Sequence, residues 1–156
     1  MSKPVRVVSA DPQGAEALVL LREAAGEARQ LYPELFSPDS PWPTNPPIGN
    51  RGAFVLADLG DALAGCGALR MIETTTAEVR RMFVRESARR GGVARAVLED
   101  LEVKAVKLGY SVLRLETGVR QQPAMTLYER SGFARISPFG EYVGDPTSVC
   151  FENRIA

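Results

Sequence analysis

Three strand-like runs stand back to back in the middle of this chain, and a pair of glycines then switches the pattern to that of a helix. "AFVLADLG" (Ala53 to Gly60), "ALAGCGALRMI" (Ala62 to Ile72) and "AEVRRMFV" (Ala77 to Val84) are strand-like in composition and are separated by short turn signals. Gly60-Asp61 is a hairpin signal and "ETTTA" the next turn. Helical spacing follows: Ala94, Val97, Leu98, Leu101, Ala105 and Leu108 form one apolar stripe. Glu99, Asp100, Glu102, Lys104 and Lys107 lie largely off it, with Asp100 and Lys104 one turn apart. Gly109 stands where a helix C′ residue belongs. Between strand and helix lie Arg89, Arg90, Gly91 and Gly92. Glycines directly before a helix leave bare backbone N–H groups at the positive end of its dipole, a place that suits a phosphate. The same glycines also suit a plain tight turn.

The flanks are read the same way. "VRVVSA" (Val5 to Ala10) predicts a first strand. Asp11 and Pro12 then predict the N-cap and first turn of a helix with apolar Leu18, Leu21, Ala25 and Ala28, fading near Tyr32. From Pro33 to Gly52 six prolines and the only tryptophan, Trp42, crowd one segment. No regular element holds that much proline. It is a loop, with a short helical turn near Glu34, and either walls a binding site or connects elements at the surface. "SVLRLET" (Ser111 to Thr117) is a strand, and "QQPAMTLYERSG" a short helix with Pro123 in its first turn and Gly132 at its end. "FARIS" and "TSVCFENRI" close the chain as strands joined through the Pro138–Pro146 loop. The reading is one mixed α/β domain over residues 1–156, in the order β, α, loop, β, β, β, α, β, α, β, β.

Composition removes several function classes. Lys plus Arg and Asp plus Glu both number 19, which opposes a nucleic-acid footprint. No apolar run approaches the roughly 20 residues of a membrane span, and "MSKPVRVVSADPQG" holds no leader-like apolar core. The expectation is a cytoplasmic protein that engages neither nucleic acid nor membrane. Histidine is absent. That removes Ser-His-Asp and Cys-His mechanisms and the commonest metal ligand, leaves no metal site expected, and makes any general base a carboxylate, a tyrosine or a water. Cys66 and Cys150 fit no CxxC pattern and read as buried reduced thiols.

The P-loop pattern is absent, and Gly65-Cys66-Gly67 opens no helix, so these read as strand glycines at a bulge or a close backbone approach. Arg89-Arg90-Gly91-Gly92-Val93-Ala94 does follow a strand and open a helix. It matches the Arg/Gln-x-x-Gly-x-Gly/Ala pattern of the GNAT acetyltransferases, and the sequence resembles that family from about Ala53 to Phe133. The preceding "AEVRRMFV", the helix ending in "LGY" and the later "AMTLYERSGF" add to the likeness. The resemblance implies the GNAT acyl-CoA N-acyltransferase fold, a mostly antiparallel twisted sheet of six to seven strands with a splayed pair, Ala77–Val84 and Ser111–Thr117.

It also implies acetyl transfer from acetyl-CoA to a primary amine by direct attack in a ternary complex. The pyrophosphate would lie on Arg89, Arg90, Gly91, Gly92, Val93, Ala94 and Arg95. The pantetheine arm would pair with the backbone of Met82, Phe83 and Val84. Gln121 stands where the family often has asparagine against that arm. Tyr128, in "LYERSGF", would protonate the leaving thiolate; otherwise it is an aromatic packed against the sheet. Glu78 would serve as base directly or through water; otherwise it is a solvated carboxylate. Either Arg80 or Arg81 binds an acceptor carboxylate, or they form internal ion pairs with Glu116 or Glu78, their side chains on opposite faces unless a bulge intervenes. Trp42 is a further candidate contact for the acceptor. Phe139 and Tyr142 either close the acceptor pocket or line a homodimer interface. A small-molecule amine is the first expectation for the acceptor, ahead of a protein N-terminus or lysine and of a non-catalytic CoA-binding regulatory domain.

Overall fold

The computed structural model describes residues 3–156. Its elements follow the expected order: β1 (Arg6–Ser9), α1 (Ala15–Leu31), β2 (Ala53–Asp58), β3 (Leu63–Glu73), β4 (Thr76–Val84), α2 (Val93–Lys107), β5 (Val112–Gly118), α3 (Gln122–Arg130), β6 (Ala134–Ile136) and β7 (Ser148–Arg154). Single 3-10 turns at Pro33–Leu35, Glu86–Ala88 and Gly140–Tyr142 interrupt the loops. The expected turn near Glu34 is the first of these.

The first helix begins later than the sequence suggests. Asp11 caps a turn instead: its carboxylate accepts from the Gln13 amide at 2.9 Å and its carbonyl from Gly14 at 3.0 Å. Gly14 is then the N-cap of α1. A local side-chain bond to the backbone competes with helix initiation, and here it wins. The expected stops hold: Gly60, Gly109 and Gly132 all take positive φ.

One seven-stranded sheet runs in the order β1-β2-β3-β4-β5-β7-β6. Every neighbouring pair is antiparallel except β4 with β5, whose crossover is α2. α2 and α3 cover one face. Val97, Leu98 and Leu101 of α2 meet Leu113 and Leu115 of β5 and Met125 and Tyr128 of α3 in one buried cluster. Full burial of each such leucine contributes about 1.5–3 kcal/mol. The other face is covered by α1 only at one end, where Ala17 and Leu20 pack on Phe54, Leu56 and Cys66. The rest of that face holds the candidate site.

Two glycines let α2 and β4 come this close. A Cβ on Gly67 would sit 2.6 Å from Val97 Cγ1, and one on Gly65 would sit 2.5 Å from the Phe83 carbonyl. Of the two readings the sequence left open, Gly65 is a close backbone approach and Gly67, where the register shifts, lies at a bulge and meets side chains.

Candidate active site

β4 pairs with β5 only from Thr76 to Val79, opposite Val112 to Leu115. Past that point the strands diverge. On its other edge β4 stays paired with β3 as far as Val84. The β5-side edge of Arg80 to Val84 therefore has no strand partner. Within this free stretch the β3 ladder also slips: Cys66 pairs with Phe83 and Ala68 with Arg80, so Arg81 and Met82 together face Gly67. Arg81 takes φ 57°, a left-handed conformation unusual for a side-chain-bearing residue. This is the bulge allowed for above. It puts Arg80 and Arg81 on one side of the sheet, lining the same pocket, while Met82 turns toward α2.

The free edge leads to the start of α2. Gly92 is the N-cap, with φ 80° and no side-chain hydrogen bond capping the helix. Arg90 is also left-handed, with φ 67°. The first amides of α2, from Val93 to Arg95, have no helical partner. A Cβ on Gly92 would meet only open space. Arg89, Arg90 and Arg95 are exposed around this end. Arg89 donates to the Val84 carbonyl at 3.0 Å and to Glu27 of α1 at 2.5 Å. Arg95 pairs with Glu99 at 3.3 Å. An uncapped helix end beside a strand with a free edge is an arrangement for a phosphate with an extended arm attached.

The acetyltransferase (GNAT) family pattern matches residues 21–133, more than half of the chain. The chain belongs to the GNAT acetyltransferase family. It is 43% identical over 100 residues to the "IAA acetyltransferase" of Azospirillum brasilense, a match over 64% of this chain and 65% of that one. To the N-acetyltransferase YsnE of Bacillus subtilis it is 43% identical over 98 residues, 62% of this chain and 65% of the relative. The chain thus spans just under two thirds of the length of either relative. Among solved structures, one from Klebsiella pneumoniae assigned as an acyl-CoA N-acyltransferase superposes with a TM-score of 0.80 at 25% identity, covering 97% of this chain and 98% of that one.

On the open face of the sheet, Glu78 is 1% exposed and held from two sides. Arg70 Nη2 donates to Oε1 at 2.6 Å, and the Tyr142 hydroxyl to Oε2 at 2.6 Å. Glu78 is thus a buried and bonded carboxylate, not the solvated strand end allowed for above. Arg70 and Arg80 also share Glu141, at 3.2 and 3.3 Å, and Arg80 lies 3.9 Å from Glu78. Phe139 packs edge-on against Tyr142, with ring centroids 5.3 Å apart. Tyr142 thus reaches the sheet of its own chain through Glu78, and the Arg114 guanidinium of β5 lies 5.7 Å from the Phe139 ring centroid. Across the splay, Glu116 of β5 accepts from the Ser148 hydroxyl at 2.6 Å, and burial pushes its pKa up.

On the opposite face, Tyr128 is 5% exposed, edge-on to Phe133 at 5.9 Å and tilted to Phe151 at 6.2 Å. Its hydroxyl bonds to no described residue. Burial and the Glu116 charge both raise its pKa. Gln121 turns its Oε1 to the Gly118 amide at 2.9 Å, closing the turn after β5.

A pocket of 420 Å³ opens beside the bulge. The proline-rich loop walls it with Asn45 to Asn50, against Phe54, Leu69, Arg70, Arg80 and Arg81 of the sheet. Asn45, 6% exposed, pins that loop: its Nδ2 donates to the Pro12 carbonyl at 2.7 Å and its Oδ1 accepts from Arg81 at 2.9 Å. Trp42 is outside this lining. It stacks under Arg22 and Arg29 of α1, at 3.5 and 3.9 Å from ring centroid to guanidinium carbon. Sequence reasoning passed over Arg70, Glu141 and Asn45. Only a lone asparagine within a run of prolines could have flagged the last, because the partners of all three are far along the chain.

Proposed function

We propose that this acetyltransferase moves the acetyl group of acetyl-CoA to a primary amine of a small molecule, by direct attack within a ternary complex. The carrying observation is the free edge of β4, which runs from the 420 Å³ pocket beside Arg81 to the uncapped helix end at Gly92. Acetyl-CoA and CoA complexes occur among proteins of this fold, from Elizabethkingia anophelis (TM-score 0.69, 17% identical) and Bacillus subtilis (TM-score 0.68, 21% identical). Bound acetyl-CoA supplies an activated thioester.

The chain's residues then take these roles. Amides from Arg90 to Arg95 hold the pyrophosphate, with Arg89, Arg90 and Arg95 adding positive charge. Met82, Phe83 and Val84 offer the free backbone edge to the pantetheine arm. The Nε2 of Gln121, left over once Oε1 has closed its turn, is the donor available to that arm. The acceptor nitrogen forms a C–N bond to the acetyl carbon as the C–S bond breaks. Glu78 receives the amine proton through the Tyr142 hydroxyl, and Tyr128 returns a proton to the thiolate. Glu116 is a second reading for the base, favoured by its raised pKa and single neutral partner, since a base is most effective with a pKa near the working pH. The loop-walled pocket favours a small molecule over a peptide chain.

The test is thiol release from acetyl-CoA against a panel of amines and lysine peptides. Release with a small amine supports the proposal. Tight acetyl-CoA binding without release for any acceptor favours a regulatory domain, and release with peptides alone favours protein modification.

A further inference from the structure

Three arginines and two carboxylates meet on the open face. Arg70 and Arg80 share Glu78 and Glu141 between them. Arg81 has neither. Its Nε donates to the Asn45 side-chain oxygen at 2.9 Å and its Nη2 to the Thr44 carbonyl at 3.2 Å, both neutral. No carboxylate pairs with it among the described residues. The one arginine seated in the bulge is thus the one of the three with only neutral partners.

That placement is costly twice over. The guanidinium is half-buried, and burial together with neighbouring Arg80 and Arg70 lowers its pKa from the ordinary arginine value. The backbone beneath it holds φ 57°, where a side chain is disfavoured. Arg81 nonetheless lines the 420 Å³ pocket, whose apolar walls include Ile48, Phe54 and Leu69. It stands two residues past the last β4–β5 pair, Val79 with Leu115, at the mouth of the splay.

We propose that Arg81 binds a carboxylate of the acceptor, which is therefore an amino acid, or a closely related amine-bearing acid, with an apolar body. A planar guanidinium with spare donors matches a carboxylate. A neutral amine would leave the charge uncompensated, and a polyamine would be repelled by it. The apolar walls take up the remainder of the molecule. The identity of the acceptor rests on the acetyl-transfer reading above; the carboxylate contact itself can be measured without turnover.

The experiment compares matched pairs: leucine, methionine, phenylalanine and tryptophan against their carboxamides as acceptors, and N-acetylphenylalanine against N-acetylphenylalaninamide as calorimetric ligands of the CoA-loaded protein. The acids are expected to exceed their amides by about ten-fold or more in kcat/KM, and the acetylated acid to bind about ten-fold more tightly than its amide, as for loss of a charged hydrogen bond. Arg81→Gln is expected to raise KM for the acid and bring both ratios toward one, with Arg81→Lys intermediate. Equal or reversed preference for the amide in the wild type overturns the proposal and needs no variant to fold. So does spermidine as the best acceptor. Acetyl-CoA binding by the same samples shows separately whether the acetyl-transfer reading has failed.

Discussion

The Tyr142 hydroxyl donates a 2.6 Å hydrogen bond to Glu78, joining the loop before β7 to the middle of the sheet across 64 positions of sequence. Burial, and then the carboxylate it donates to, pushes the Tyr142 phenol up. It therefore remains protonated through the neutral range, able to pass a proton to Glu78 only as it receives one. Tyr142→Phe is expected to lower kcat about 100-fold, the lower range for a lost general-base route, with acetyl-CoA affinity unchanged. Steady-state thiol release measures this. An unchanged kcat would confine Tyr142 to packing.

Glu116 titrates above the ordinary carboxylate value of 4.5, chiefly because it is buried. The sign for stability follows. A carboxyl whose pKa is raised on folding favours the folded state at low pH, and that contribution is lost as pH rises through the folded pKa. Glu116→Gln, which keeps an acceptor for Ser148, should raise Tm at pH 7 and leave it nearly unchanged at pH 4. If Glu116 is the base, the same variant also removes the ascending limb of the pH–rate profile, whereas Glu78→Gln removes it if Glu78 is. Parallel pH profiles of the two variants decide between them.

Gly118 is fixed by Tyr32. A Cβ there would sit 1.9 Å from the Tyr32 hydroxyl, which accepts from the Arg120 amide at 3.0 Å. Gly118→Ala is expected to displace the end of α1 from the turn after β5. Tyr32→Phe should cost only about 1 kcal/mol, the usual net worth of one hydrogen bond. Chemical denaturation of both variants gives the ranking, with alanine the more damaging.

Cys66 is buried against the bulge, its thiol 3.1 Å from the Arg81 carbonyl. Burial pushes its pKa up to about 12, leaving almost no thiolate at pH 8. Iodoacetamide should therefore label Cys66 only at the rate of local or global unfolding, as read by mass spectrometry of the folded protein over time. Rapid labelling would contradict the buried bulge.

What was legible in the sequence was local. The hairpin at Gly60, the helix from Val93 to its stop at Gly109 and the helix closed by Gly132 each follow from a few adjacent residues. The glycines at 65 and 67 announced close approach without naming what approaches. The bulge at Arg81 could be anticipated only as a contingency, because register depends on how β3 and β4 are laid side by side. Glu78 was visible as a candidate, but its partners Arg70 and Tyr142 lie on another strand and in a distant loop. Asp11 misled because its side chain serves a turn as well as a helix start. Arg81's lack of a carboxylate became apparent only once Glu78 and Glu141 were placed beside the other two arginines.

The proposed acetyl-CoA site is the free edge of β4 together with the open helix end at Gly92, so titration with acetyl-CoA by calorimetry, for the wild type and Gly92→Glu, addresses it most directly. The substitution sets a carboxylate and a side chain at a left-handed N-cap where a pyrophosphate should lie, and circular dichroism checks that the variant is folded. Micromolar binding by the wild type, lost in a folded variant, is the expected result. A folded wild type that does not bind acetyl-CoA would contradict the account, and the sequence from Arg89 to Arg95 would then be no more than a strand-to-helix turn.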